Sequence, residues 1–505
     1  PRSIGGLMAR LRTHLVALAF GMSLALSGGP ASALERFVLR LPFLETEITI
    51  NFADGESAEQ LIQASPDLQD LELASGGKLL PLLRQVFLTP LPLETKALLA
   101  GSTGQPLLEQ ALHAATQVVD LEGVELDDSG RMLTETLIRA ERRGQPNILG
   151  FLRELPGEQA SIDLSRLAEV ANRLKTNLEE GVALARSLEA ASATAALREP
   201  LRSGWSREVV QVSVPHRPKP LRVLTLQPGV PANGRLVVIS HGLWDDPESF
   251  EGWGEVLAAH GYTVLLPDHP GSDFNQQKAM LAGDVPPPGP EELRLRPLDV
   301  SAVLDAISAG RLLSGARLNT DAVAVVGHSW GATTTLQLAG GLPTDRQLKS
   351  RCNDLKDPER NISWVLQCSW LSGVNQAAVA DRRVKAVVAV SPPLRLLFDG
   401  SRLESLPAKL LLISGTRDWV VPSGPEAIAP MRESKAARLG HRLVLVQGAD
   451  HFSLRSFRDE PSPAQVGPVI LGWINEQLEV DGAVTFSGGG WGDEQGSLVD
   501  VSDRL

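Results

Sequence analysis

The chain has 505 residues, which at about 150 residues per domain corresponds to roughly three folding units. With 43% apolar and 21% charged residues it reads as a packed globular protein, and wholesale disorder, collagen-like repeats and a multi-span membrane protein are excluded. The formal charge of −12 understates the acidity beyond residue 33, because residues 1–33 hold Arg2, Arg10 and Arg12 and no carboxylate, so a nucleic-acid partner is not expected.

Residues 1–33 read as an export signal: basic Arg10 and Arg12, an apolar run over 15–26, the helix breakers Gly28, Gly29 and Pro30, then Ala31-Ser32-Ala33 as a small-residue cleavage site. Cleavage near Ala33 starts the mature chain at Leu34, in the periplasm, the thylakoid lumen or the medium. The competing reading is a retained anchor, but the apolar run reaches only about 18 Å as a helix against a hydrocarbon core of roughly 30 Å. No integral membrane span is expected in the mature chain.

The chain then opens with an alternating stretch, 37–41 and 48–50, which fits a short strand pair. Apolar spacing of three and four follows over 79–87, 107–119, 132–142 and 164–188, so 34–200 reads as a mostly α-helical domain with no recognisable chemistry of its own. From Glu208 the texture changes to eight short β-branched runs, 209–214, 221–226, 235–240, 262–267, 322–327, 384–391, 409–414 and 442–447. Helical patterns fit between them at 248–260, 298–310, 329–338, 426–439 and 464–478. The first two runs, parted by Pro215, Pro218 and Pro220, predict an antiparallel hairpin, and the last five are continuously apolar, as in strands buried on both faces. An eight-stranded, mostly parallel sheet with helices on both faces is therefore expected over 201–480, with an insertion at 341–380. The tail 481–505 lacks a core pattern and is expected to be mobile.

Cys352 and Cys368 are the two cysteines, and in an exported protein their proximity predicts a disulfide, which for a loop of about 17 residues stabilises by roughly 3 kcal/mol. Two unpaired buried thiols are the other reading. Two cysteines are too few for a zinc site, so no metal is expected.

Gly327-His328-Ser329-Trp330-Gly331 directly follows the run 322–326 and directly precedes a helical pattern, so a G-x-S-x-G motif stands in its strand-turn-helix context. Gly327 and Gly331 leave room for a serine to project from a tight turn. A serine hydroxyl is a weak nucleophile and needs a base oriented by an acid. With chain order Ser, acid, His, only His441 and His451 follow Ser329; His441 precedes the last run and His451 follows it, at the carboxyl edge where sites gather. His451 is the expected base. Asp418, past the run ending at Ser414, is the expected acid, with Asp399 the runner-up. The backbone N–H of Trp330 and that of Leu243, in Ser240-His241-Gly242-Leu243, are the expected oxyanion donors, Gly242 allowing the close turn. His241 is either a supporting hydrogen bonder behind that loop or a plain structural side chain.

Ser240-His241-Gly242, Asp268-His269-Pro270-Gly271-Ser272-Asp273, the motif around Ser329 and Gly448-Ala449-Asp450-His451-Phe452 together resemble the α/β-hydrolase superfamily. More narrowly they resemble its predicted dienelactone hydrolase branch, related to platelet-activating-factor acetylhydrolases. That resemblance implies carboxylic ester hydrolysis by Ser329, Asp418 and His451 without a cofactor. Dienelactone hydrolases use a cysteine nucleophile, and here position 329 is serine. The segment opening Glu35-Arg36-Phe37-Val38-Leu39-Arg40 is similar to a helical domain of unknown function found ahead of such hydrolases in cyanobacterial proteins.

The expected function is an exported serine hydrolase acting on a small-molecule, hydrophobic acyl ester through an acyl-enzyme. A catalytically silent envelope scaffold, or an amidase or thioesterase with the same machinery, are the alternatives. The insertion, with Trp364 and Trp370, is either a rim over the site or ordinary packing. Oligomeric state is open.

Overall fold

The computed structural model describes residues 34–41, 46–74, 76–78, 80–81, 84, 88, 105–115, 119–122, 136, 139–140, 142–145, 147–157, 159–192, 204–229, 231–282, 284–398, 403–458, 465–482, 484–492 and 497–505. The export-signal segment 1–33, Asp399 and most of 79–87 and 132–142 lie outside the described residues. The chain forms two compact units, one from Pro1–Asn172 with Lys278–Gly289, the other from Arg173–Gln277 with Pro290–Leu505.

In the first unit, β1 (Arg36–Leu41) and β2 (Thr46–Asn51) form the antiparallel pair that the alternation predicts. Helices α1 (Ala58–Ala64), α2 (Pro66–Ala74) and α3 (Pro106–Ala115) follow, α1 starting at a reciprocal cap between Ser57 and Gln60. Then come β3 (Val119–Glu122), α4 (Ile148–Glu154), β4 (Gln159–Asp163) and the start of α5 (Leu164–Arg186). The unit is mixed, with a four-stranded sheet in the order β2-β1-β4-β3, where mostly helix was expected. Gln-Ala-Ser-Ile-Asp of β4 carries no strand pattern; it is a strand because β1 and β3 flank it on both edges.

The second unit takes over inside α5, so the division falls near residue 172 and not at the expected 200. Nδ2 of Asn177 donates to Arg360 O (3.4 Å), Nε2 of Gln447 donates to Ala185 O (2.7 Å), and Glu180 pairs with Arg432 (2.5 Å). An amphipathic stripe announces that a helix is buried, but not which core it joins.

All eight expected runs are strands: β5 (Trp205–Val212), β6 (Leu221–Pro228), β7 (Arg235–Ser240), β8 (Thr263–Pro267), β9 (Asn319–His328), β10 (Val384–Val390), β11 (Lys409–Gly415) and β12 (Arg442–Val446). A ninth, β13 (Leu498–Asp500), comes from the tail expected to be mobile, and the sheet order is β13-β12-β11-β10-β9-β7-β8-β6-β5. β13 pairs antiparallel with β12, and Val484, Phe486 and Trp491 are buried in the core cluster of the sheet. A three-residue strand and three spaced apolar side chains in a glycine-rich stretch leave too short a pattern to read.

Strands β7 to β12 run parallel; at one end β6 pairs antiparallel with both β8 and β5, and at the other β13 pairs antiparallel with β12. Helices α6 (Glu251–Ala258), α7 (Glu292–Ser308), α8 (Trp330–Leu338), α9 (Arg346–Arg351), α10 (Ser363–Ser369) and α11 (Gly467–Gln477) connect or cover them. The helix expected over 426–439 is broken into a π-type turn at Gly424–Ile428 and short pieces after it. Strand order reverses between β7 and β9, the switch point where crevices open in such sheets. No helix among the described residues is long and apolar enough to cross a membrane.

Candidate active site

Ser329 sits where β9 hands over to α8, and its backbone has φ 53° and ψ −122°, a conformation that costs a non-glycine residue about 1–3 kcal/mol. The turn is held from both sides: Ser329 N donates to Val390 O (2.9 Å), while Ser240 pairs with Gly327. A side chain on Gly331 would collide with the carbonyl of Ser240, and one on Gly327 with the carbonyl of Gly331, so the helix can start directly under the sheet edge only with glycine at both places.

The loops after β11 and β12 are tied together. Arg417 N donates to Ala449 O (2.9 Å) and Gly448 N to Thr416 Oγ1 (2.9 Å). This brings Asp418 Oδ2 to 2.9 Å from Nδ1 of His451, while Asp418 Oδ1 accepts from the amides of Val420 (3.0 Å) and Val421 (2.8 Å). A carboxylate can only accept, so Nδ1 of His451 donates to it, which in the neutral ring leaves the lone pair on Nε2. Both residues are buried. Asp450 is occupied locally, accepting from the amides of Phe452 and Ser453. His441 is elsewhere, its Nδ1 accepting from Leu410 N (3.1 Å) at the start of β11.

Among the described residues the Ser329 hydroxyl makes no direct hydrogen bond to His451. The two are joined through the chain neighbour of the serine: Nε2 of His328 donates to His451 O (2.9 Å), and the two rings lie 4.6 Å apart. Among the described residues His328 Nδ1 is buried without a partner, and burial drives the ring well below its ordinary 6.5, so it stays neutral.

Facing the elbow is the loop after β7. A Cβ on Gly242 would lie 3.3 Å from Ser329 Cβ and 2.9 Å from Asp245 Oδ2, so the backbone there runs hard against the serine. Among the described residues neither the Leu243 amide nor the Trp330 amide has an acceptor. The Gly242–Leu243 peptide is oriented from behind. Nε2 of His241 accepts from His269 N (3.0 Å), which leaves the proton on Nδ1, and Nδ1 donates to Gly242 O (2.7 Å). With its carbonyl held inward, the same peptide turns its N–H outward.

Sequence reasoning missed what lies beneath. His269 donates from Nδ1 to Asp299 Oδ2 (2.9 Å) and accepts at Nε2 from the Ser240 hydroxyl (2.9 Å). His216 (2.7 Å) and Arg217 (2.7 Å) also bond Asp299, and Arg217 chelates Glu292. Burial alone raises the Asp299 carboxyl, but these hydrogen bonds from His216, His269 and Arg217 hold it below the usual range. Burial and the nearby Arg296 take His269 down to about 3, and His241 is shifted the same way. The signal in sequence was charge and histidine inside otherwise apolar patterns, at 269 and at 296–299.

The insertion 341–380 is stapled by Cys352–Cys368, Cα atoms 5.7 Å apart. Trp364 and Trp370 are buried, Trp370 against the Trp330 ring (5.1 Å), so they wedge the insertion down and do not line an open mouth. Glu426 holds it in place, accepting from Asn361, Ser363, Trp364 and Gln367 at one oxygen and from the amides of Leu394 and Arg395 at the other. On the other side Phe452 meets the His451 ring edge-on (5.4 Å) and is 48% exposed, and Phe457, with Phe452, brackets the Arg455 guanidinium.

No curated protein matches the chain. Residues 236–465 match the alpha/beta hydrolase family, and this stretch contains the elbow, the Asp418–His451 pair and most of the parallel sheet, so the second unit carries an α/β-hydrolase domain.

Proposed function

We propose that the chain is a serine hydrolase of carboxylic esters, with Ser329 as nucleophile, His451 as general base and Asp418 as the acid that orients it. The observation that carries the reading is the 2.9 Å bond from His451 Nδ1 to Asp418 Oδ2 at the carboxyl edge of the sheet whose strained elbow bears Ser329. As Ser329 Oγ attacks an ester carbonyl, its proton passes to His451 Nε2, and Asp418 stabilises the imidazolium. The carbonyl oxygen takes up negative charge opposite the vacant amides of Leu243 and Trp330. The imidazolium then protonates the departing alkoxide, and water repeats the sequence on the acyl-serine. The missing direct Ser329–His451 hydrogen bond among the described residues is consistent with a pair that closes only around a bound carbonyl.

Exposed Phe452, edge-on to the His451 ring, and exposed Phe457, on the far side of Arg455, favour a hydrophobic acyl or alcohol group. The disulfide fits an oxidising compartment, in line with export of the chain.

The test is turnover of p-nitrophenyl butyrate together with labelling by a fluorophosphonate. Ser329→Ala is expected to lower kcat by about four to six orders of magnitude and abolish labelling; turnover retained in that variant rejects the reading. A parallel panel of amides and thioesters decides the acyl class.

A further inference from the structure

Arg296 is wholly buried, with a relative exposure of 0%. Its place follows from the residue after it. Pro297 stands inside α7 and has no N–H, so the Leu293 carbonyl loses its helical partner. That carbonyl accepts instead from Nε2 of Gln337 (2.8 Å) on α8, the helix that starts at the elbow. With the two helices cross-linked, the Arg296 guanidinium lies 5.0 Å from the centre of the Trp330 ring. One terminal nitrogen donates to the carbonyl of His241, the other to Ser272 Oγ (3.0 Å), and Nε has no partner among the described residues.

Among the described residues no carboxylate bonds Arg296. The acids that act on its charge, Glu292, Asp299 and Asp273, are engaged elsewhere: Glu292 by Arg217, Asp299 by His216, His269 and Arg217, and Asp273 by the amide of Gln276. A buried cation without a bonded counter-ion is a poor device for stability, since an apolar side chain of similar size avoids the desolvation. Its contacts have another logic. It grips the peptide immediately before Gly242–Leu243 and stacks on Trp330, so it touches both segments whose amides, Leu243 and Trp330, have no acceptor among the described residues.

Resting on the serine-hydrolase reading, we propose that Arg296 is a positioning residue that holds both oxyanion-facing amides on one rigid support and sets a fixed positive charge behind the point where the oxyanion develops. A neutral ester gains little from that charge, whereas the tetrahedral anion gains much in a water-poor core, so the effect belongs in kcat and not in KM.

The experiment compares Arg296→Met, which removes the charge, with Arg296→Lys, which keeps it but loses the planar fork. Both are assayed with p-nitrophenyl butyrate, and with an alkyl boronic acid as mimic of the tetrahedral anion, below their measured melting temperatures. Arg296→Met is expected to lose about 100-fold in kcat and Arg296→Lys about tenfold, each with KM within about twofold of the parent and boronate affinity falling in parallel. Normal kcat and boronate affinity in a folded variant overturns the proposal; should Arg296→Met not fold, Arg296→Lys decides by the same criterion. Ser329→Ala separates the two levels. Turnover lost there but kept in the Arg296 variants defeats this proposal alone, and turnover kept in Ser329→Ala defeats the serine reading beneath it.

Discussion

His328 donates from Nε2 to the backbone carbonyl of His451 at 2.9 Å, so the residue before the elbow serine fixes the loop that carries His451. In His328→Phe the ring contact survives and the donor is lost, leaving the His451 carbonyl in need of a partner. The expected outcome is a stability loss of about 1–3 kcal/mol in urea unfolding and a roughly tenfold fall in kcat. An unaltered kcat shows that Asp418 alone holds His451.

Asp418 uses one oxygen for the turn and the other for the imidazole. Asp418→Asn preserves the first role and turns an NH2 toward Nδ1, which forces the proton onto Nε2 and leaves no base. A fall of about 10⁴ in kcat is expected, with circular dichroism unchanged. A loss below tenfold points to another acid, Asp399 first.

Stability is expected to fall in mild acid. His269 is taken from its ordinary 6.5 to about 3 by burial and by Arg296, and His241 and His328 are lowered as well. Below pH about 6.5 the unfolded chain binds protons that the folded chain refuses, so this contribution is complete above that pH and is lost progressively as pH falls toward the folded values. The slope reaches at most about 1.4 kcal/mol per pH unit for each histidine. Urea unfolding between pH about 7 and 4 measures it; a flat profile contradicts the assignment of three neutral, buried rings.

The disulfide closes a separation of 16 residues, and in the chain-entropy account its loss costs about 3 kcal/mol. Cys352→Ser with Cys368→Ser is therefore expected to melt roughly 6–12 °C lower in calorimetry. Because Trp370, two residues past Cys368, packs on Trp330, activity is expected to disappear at the lowered transition and not before it. Activity lost well below melting indicates that the insertion shapes the site directly.

Sequence alone marked the strands of the second unit and the candidate site residues by separate routes. The parallel core was legible because each strand is a continuous apolar run between turn residues, and burial on both faces admits little else. The elbow was legible because glycines at 327 and 331 around a serine mark a turn that other residues cannot make. His451 and Asp418 followed from chain order and from the edge of the sheet each run leads to.

Tertiary structure decided what no local pattern carries. β4 and β13 are strands by virtue of their neighbours, and the second half of α5 belongs to the second unit because Arg360, Arg432 and Gln447 meet it there. The bond between His451 and Asp418, 33 positions apart, and the support of Gly242–Leu243 by His241, His269 and Arg296 arise only when several loops converge. Periodicity records which face of an element is buried; the partners of a buried polar group are set by which distant segments share that interior, and that is a property of the whole fold.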